Sequence, residues 1–196
     1  MRPLNLGFVL AAILSSNLHA QTGVVKVTIE TDRGVIAVDL DSAHAPTSVA
    51  NFLRYVDGGF YSGGQFHRSV TLSNQPRDSV RIEVIQAGPN PARAAEAFPP
   101  IELERTTVTT LHHLDGTLSM ARGAPNTATA DFFICVGDQP SLDFGGHRNL
   151  DGQGFAAFGR VTRGMDVVRA IQRAPVDAQK LTPPVTIRGI HRAAAR

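Results

Sequence analysis

From Val24 onward, apolar and polar side chains alternate. Val25, Val27 and Ile29 fall on one side, and Lys26, Thr28 and Glu30 on the other. A period of two marks a strand with one buried face. Thr31-Asp32-Arg33-Gly34 reads as a turn in which glycine supplies the positive φ. Ile36, Val38 and Leu40 then resume the alternation, so the two segments form a hairpin. The period changes next. Val49, Phe52, Leu53 and Val56 recur at i, i+3, i+4 and i+7 behind Pro46, whose missing N–H costs nothing in a first helical turn. Gly58-Gly59 ends this helix.

Residues 60–70 return to strand after a glycine break, Thr71 to Arg81 is a polar loop, and Ile82 to Gln86 is strand-like. A proline-bearing irregular stretch follows, with Ile101 and Leu103 on a candidate short strand. Thr117 to Ala121 and Phe132 to Val136 read as two more strands joined by a loop. The glycine-rich segment 142–154 leads into a strand from Phe155. Met165, Val168 and Ile171 give a second helical face, and Val185, Ile187 and Gly189 a closing strand. Many short strands without βαβ alternation indicate a sandwich or barrel, and closure removes the edges. The pattern therefore predicts a mainly β protein, a barrel of about eight strands capped by two helices, and by itself goes no further.

The first twenty residues stand apart from this pattern. Arg2 precedes an apolar run from Leu4 to Leu14, and small and polar residues follow up to Ala20. Basic start, short apolar centre and small residue at the end are the layout of a signal peptide. The run is shorter than the roughly 20 residues that a spanning helix needs. The expected organisation is a leader over 1–20, cleaved near Ala20, and one domain over 24–192. Such a chain is exported, with the periplasm as its expected place, and is free of the membrane once the leader is gone. Net charge is only +2, with Lys and Arg scattered, so no nucleic-acid footprint is present. A monomer is expected, since no amphipathic stretch is left over. The single cysteine, Cys135, lies in an apolar run and reads as a buried core residue.

The chain holds no G-x-S-x-G, P-loop, H-E-x-x-H or paired cysteines. His112 and His113 are adjacent rather than i, i+4, so no metal site is expected there. Ser, His and Asp spacing suggests no triad. Two runs remain: Phe66-His67-Arg68, an arginine among apolar strand residues, and Phe132-Phe133-Ile134, apolar on both faces. A strand arginine is ordinarily directed at solvent, and an apolar run is ordinarily core.

Four blocks in order change the weight of those runs. NFLRYVDGGFYSGGQFHR, IQAG, GTLSMARGAPNTATADFFI and FAAFGRVTRGMDVV resemble the corresponding elements of the cyclophilin family over 24–192. The resemblance implies a closed eight-stranded antiparallel barrel with two helices. It also implies peptidyl-prolyl cis–trans isomerase activity on proline-containing polypeptides, without a cofactor. It assigns Arg68 and Gln86 as catalytic. Phe66, His67, Val84, Ala121, Arg122, Asp131, Phe133, Leu142 and Phe155 are assigned to substrate binding. Departures are Glu83 where a pocket phenylalanine is common, Asp131 for glutamine, Arg122 for asparagine, Phe155 for histidine, and Ser141 where a large aromatic is frequent. Arg122 and Asp131, from one loop, are expected to pair. Glu83, Asp131 and Ser141 leave open an alternative, a non-catalytic module that binds proline peptides on the same barrel. An unrelated barrel carrying an apolar ligand inside is a third reading.

Overall fold

The computed structural model describes residues 23–193, so the leader lies outside the described residues. The first hairpin is β1 (Val24–Thr31) and β2 (Gly34–Asp41), in continuous register from Val24 opposite Asp41 to Thr31 opposite Gly34. Helix α1 (Pro46–Asp57) begins at the expected proline and buries Val49, Phe52, Leu53 and Val56. There follow β3 (Gly64–Val70), β4 (Val84–Gly88), the single helical turn α2 (Thr106–Thr109), β5 (Thr117–Met120) and β6 (Phe132–Cys135). The chain ends with β7 (Ala156–Arg163), α3 (Met165–Gln172), β8 (Val176–Asp177) and β9 (Lys180–Arg192).

The strand order is β1-β2-β7-β5-β6-β4-β3-β9-β8, and β1 also pairs with β9. Eight strands thus close into an antiparallel barrel, with β8 a short appendage on β9. Among the described residues, closure leaves no long unpaired edge. Inside, Phe52 of α1 meets Phe132 edge-on at 5.4 Å and Phe158 at 5.3 Å, with Tyr61 at 5.3 Å. Phe52, Tyr61, Phe66, Phe132 and Phe158 are all almost wholly buried. Rings at these separations fill the interior, and the internal-carrier reading has no space to use.

Three local departures from the sequence pattern matter. The strand expected from Ile82 starts at Val84, because Gln75 captures the backbone of Ile82. The Gln75 amide donates to Ile82 O at 2.7 Å and accepts from Ile82 N at 3.2 Å. The candidate strand around Ile101 reduces to one bridge, Ile101 to Ala128. The closing strand runs back to Lys180 and turns into β8, which Pro183 and Pro184 hide from any reading by alternation.

The irregularity that shapes the outer surface lies in β3. Phe66 pairs with Ala87 and Arg68 with Gln86, so β3 uses one residue more than β4 at His67. This is a β-bulge. Strict alternation would put Phe66 and Arg68 on the same face. With the extra residue, Phe66 follows Ala87 into the barrel, while Arg68 follows Gln86 to the outside.

Candidate active site

The outer faces of β4 and β6 carry a second apolar cluster, separate from the barrel interior. It comprises Val70, Ile82, Val84, Phe133, Cys135 and Leu142, with Ala121 and Phe155 packed against it. Alternation builds it directly. Val84 and Gln86 face outward while Ile85 and Ala87 face in, and Phe133 and Cys135 face outward while Phe132 and Ile134 face in. Phe155 stands edge-on to Phe133 at 5.4 Å. The loop 142–155 brings Leu142 and Phe155 to the cluster, tied by Phe155 N to Leu142 O at 2.9 Å. Gly154 permits that loop. Its φ is +66°, and a Cβ there would overlap the backbone of Asp143 and Phe144.

Above this cup runs a cleft of about 450 Å³. Arg68, Gln86, Val84, Ala121, Arg122, Asp131, Phe133, Leu142 and Phe155 all line it. Nine residues assigned from sequence therefore converge on one surface. Two do not. Phe66 is wholly buried in the barrel, 6.1 Å from Phe132, because the bulge leaves it on the inner face. His67, the bulged residue, sits beside Asp131 with Nε2 3.8 Å from Oδ2, outside the cleft lining.

The Arg68 guanidinium is held by amides. Nη1 donates to Gln86 Oε1 at 3.0 Å, and Nε and Nη2 donate to Gln179 Oε1 at 2.9 and 2.6 Å. Three of its five N–H donors are engaged, which leaves two to face the cleft. The ion pairs among the described residues do not include Arg68; the nearest opposing charge, Asp78, is itself paired with Arg148 at 2.9 Å. Burial, with the nearby Arg148 guanidinium, pulls its pKa below the usual arginine value, although a guanidinium this basic stays charged. Gln86 is oriented in turn: its Nε2 donates to Asp131 Oδ2 at 3.3 Å. Burial raises the Asp131 pKa, against the lowering pull of His67 and the Gln86 hydrogen bond.

The expected Arg122–Asp131 pair does not form. Arg122 reaches across the 142–155 loop to Asp151, Nη1 to Oδ2 at 2.7 Å and Nη2 to Oδ1 at 3.0 Å, and to the carbonyl of Gly154. It also lies over the Phe155 ring, 5.0 Å from the centroid. Asp131 faces the opposite way, toward Gln86 and His67. The Arg122 hydrogen bonds hold the Asp151 pKa down, to about 2. Glu83 is likewise absent from the cleft; it accepts from Gln172 Nε2 of α3 at 3.2 Å. Ile82, one residue earlier, faces the cup instead, so the apolar wall that Glu83 was expected to interrupt is continuous.

Sequence reasoning missed several contributors, Ile82 of the cup among them. Gln179 carries no recognisable pattern. Arg148 and Asn149 line the cleft from a loop whose course alternation cannot show. Behind Phe133, the His113 ring stacks at 5.9 Å, and its Nδ1 lies 2.6 Å from Asp143 Oδ1 and its Nε2 2.9 Å from Ser119 Oγ. Asp143 can only accept, so Nδ1–H donates to it and Nε2 accepts from Ser119. Burial keeps this imidazole neutral, its pKa lowered despite Asp143. The Ser-His-Asp arrangement that spacing did not reveal is thus present. Ser119 and His113 are buried, however, and the chain of hydrogen bonds braces Phe133 rather than meeting a substrate.

The family model for cyclophilin type peptidyl-prolyl cis-trans isomerase/CLD matches residues 26–192. The chain belongs to the cyclophilin family. Among curated relatives, it is 35% identical over 170 residues to peptidyl-prolyl cis-trans isomerase A of Dickeya dadantii, covering 86% of this chain and 82% of that one. It is 37% identical over 148 residues to peptidyl-prolyl cis-trans isomerase B of Escherichia coli, covering 74% and 83% respectively. The fold of this cyclophilin also matches the crystal structure of a Cryptosporidium parvum cyclophilin type isomerase, with a TM-score of 0.71 at 22% identity, over 88% of this chain and 99% of that one.

Proposed function

We propose that this cleft accelerates cis–trans rotation of Xaa-Pro bonds, and that the natural substrates are exported proteins as they fold. The observation that carries the reading is the Arg68 guanidinium, fixed by two neutral amides at the rim of an apolar cup. Rotation about an amide must break its resonance, over a barrier near 20 kcal/mol. No covalent step is required; a surface need only bind the twisted bond better than either planar form. Phe133, Leu142, Val84 and Ile82 offer a seat for the pyrrolidine ring. With the ring held, the preceding residue turns. Twisting concentrates a lone pair on the prolyl nitrogen and frees the carbonyl from conjugation. The two unengaged N–H groups of Arg68 can donate to either. One charged hydrogen bond made only in the twisted state contributes about 1.5–3 kcal/mol, or about 10- to 150-fold in rate.

The family relation supports the reading, and so does a related Cryptosporidium parvum structure determined in the presence of the dipeptide Ala-Pro. The exported role rests on the signal-peptide layout of residues 1–20. Sedimentation of the mature chain as a monomer, and its recovery from the periplasm beginning just after Ala20, are the expected results for location and state. For the activity, the decisive measurement is magnetisation exchange between the cis and trans forms of a short Xaa-Pro peptide. The wild type should enhance exchange strongly, and Arg68→Ala should reduce that enhancement at least tenfold while keeping the wild-type fold. Binding without enhanced exchange would establish the non-catalytic module instead.

A further inference from the structure

Gln179 lies in the two-residue turn between β8 and β9, 111 positions along the chain from Arg68. The turn places Ala178 in the left-handed region, with φ of 54°, and this presents Gln179 to β3. Its backbone is anchored there, since Ser69 N donates to Gln179 O at 2.9 Å. Its side chain has a defined sense, because Nε2 donates to the carbonyl of Asn74 at 3.1 Å. With the amide nitrogen committed to a carbonyl, Oε1 must be the atom turned to Arg68. It accepts two of the three hydrogen bonds that the guanidinium makes inside the protein.

A carboxylate would hold a guanidinium in the same place, and Arg–carboxylate pairs are the commoner device. Here both supports are neutral. The difference is chemical. A carboxylate neutralises the charge and draws hydrogen-bond strength toward itself, whereas an amide fixes orientation and leaves the positive field directed at the cleft.

We infer, resting on the isomerase reading, that Gln179 is a positioning residue for Arg68, and that its neutrality is as necessary as its geometry. It touches no substrate; it acts by fixing where two N–H groups point without placing a carboxylate in direct contact with the guanidinium.

The test uses the mature chain with Gln179→Met, which keeps the side chain's bulk without an acceptor, and Gln179→Glu, which keeps the acceptor and adds charge. Three quantities are read: peptide affinity from a shift titration, exchange rate at saturating peptide, and solvent exchange of the Arg68 Nε–H. In Gln179→Met, the Nε–H should exchange with water faster and the saturated rate should fall about tenfold, with affinity within about twofold of wild type. In Gln179→Glu, the Nε–H should stay protected while the saturated rate falls at least as far. Wild-type Nε–H protection in Gln179→Met overturns the positioning role. A wild-type rate in Gln179→Glu overturns the requirement for neutrality. If the wild type itself shows no enhanced exchange, the isomerase reading has failed, and the Nε–H measurement alone then decides whether Gln179 holds Arg68.

Discussion

Arg68→Lys preserves the positive charge and removes the fork. The guanidinium has five donors, gives three to Gln86 and Gln179, and keeps two for the cleft. An ammonium has three donors on one atom. To satisfy both amide oxygens it must spend two of them, which leaves one, at the end of a flexible stem. The variant therefore loses one charged hydrogen bond to the twisted amide. At about 1.5–3 kcal/mol this corresponds to a rate loss of about 10- to 150-fold. The cup is untouched, so affinity for a planar proline peptide should stay within about threefold. Stability should fall by about 1 kcal/mol, since one internal hydrogen bond is lost in a site open to water. The assay is peptide exchange at saturating and sub-saturating concentrations, with a thermal melt alongside. A lysine variant keeping more than half the wild-type rate would refute the fork, leaving simple positive charge as the only contribution of Arg68.

Other consequences can be checked on the fold itself. Ala178→Gly relieves a left-handed alanine, a strain of about 1–2 kcal/mol offset in part by unfolded-state entropy, and should raise the melting temperature by about 2–4 °C. Gly154→Ala meets both a positive φ and the backbone of Asp143 and Phe144; it should cost at least about 2 kcal/mol, lower the melting temperature by about 4 °C or more, and loosen peptide binding because Leu142 and Phe155 ride on that loop. The His113 pKa is depressed by burial, so below the ordinary histidine value near 6.5 the unfolded chain binds a proton that the folded one refuses. Stability should thus decline as pH falls from 7 to 5 in urea titrations, and His113→Asn should flatten that decline; an unchanged slope would show that His113 is not its source.

Much of the barrel was legible because its strands are half buried and their side chains alternate, and α1 because proline and glycine punctuate it. What was not legible has a common cause. Alternation reports faces only while the register is unbroken, and β3 breaks it at His67. The sequence FHR cannot show that an extra residue is accommodated there, so Phe66 was expected beside Arg68 and is found on the other face. Glu83 is a different case: alternation is intact from Ile82 through Val84 to Gln86, and it was the resemblance, set one residue off after the long 71–81 loop, that put Glu83 at the wall where Ile82 stands. The Arg122–Asp131 expectation failed for a different reason. Closeness in a loop's sequence says nothing about direction, and the partner of Arg122, Asp151, comes from the following loop. Gln179 was hidden because its role comes entirely from a contact between distant parts of the chain.

The cup is built on the outside of the barrel wall, and one sheet of backbone separates its side chains from those within. Each of β4 and β6 thus contributes to two oily compartments that share no side chain. Residues at Ile82, Val84 or Phe133 can change size or shape to suit a different peptide without reshaping the packing of Phe52, Phe132 and Phe158 behind them. A scaffold partitioned in this way lets sequence preference drift while the melting behaviour of the interior stays put.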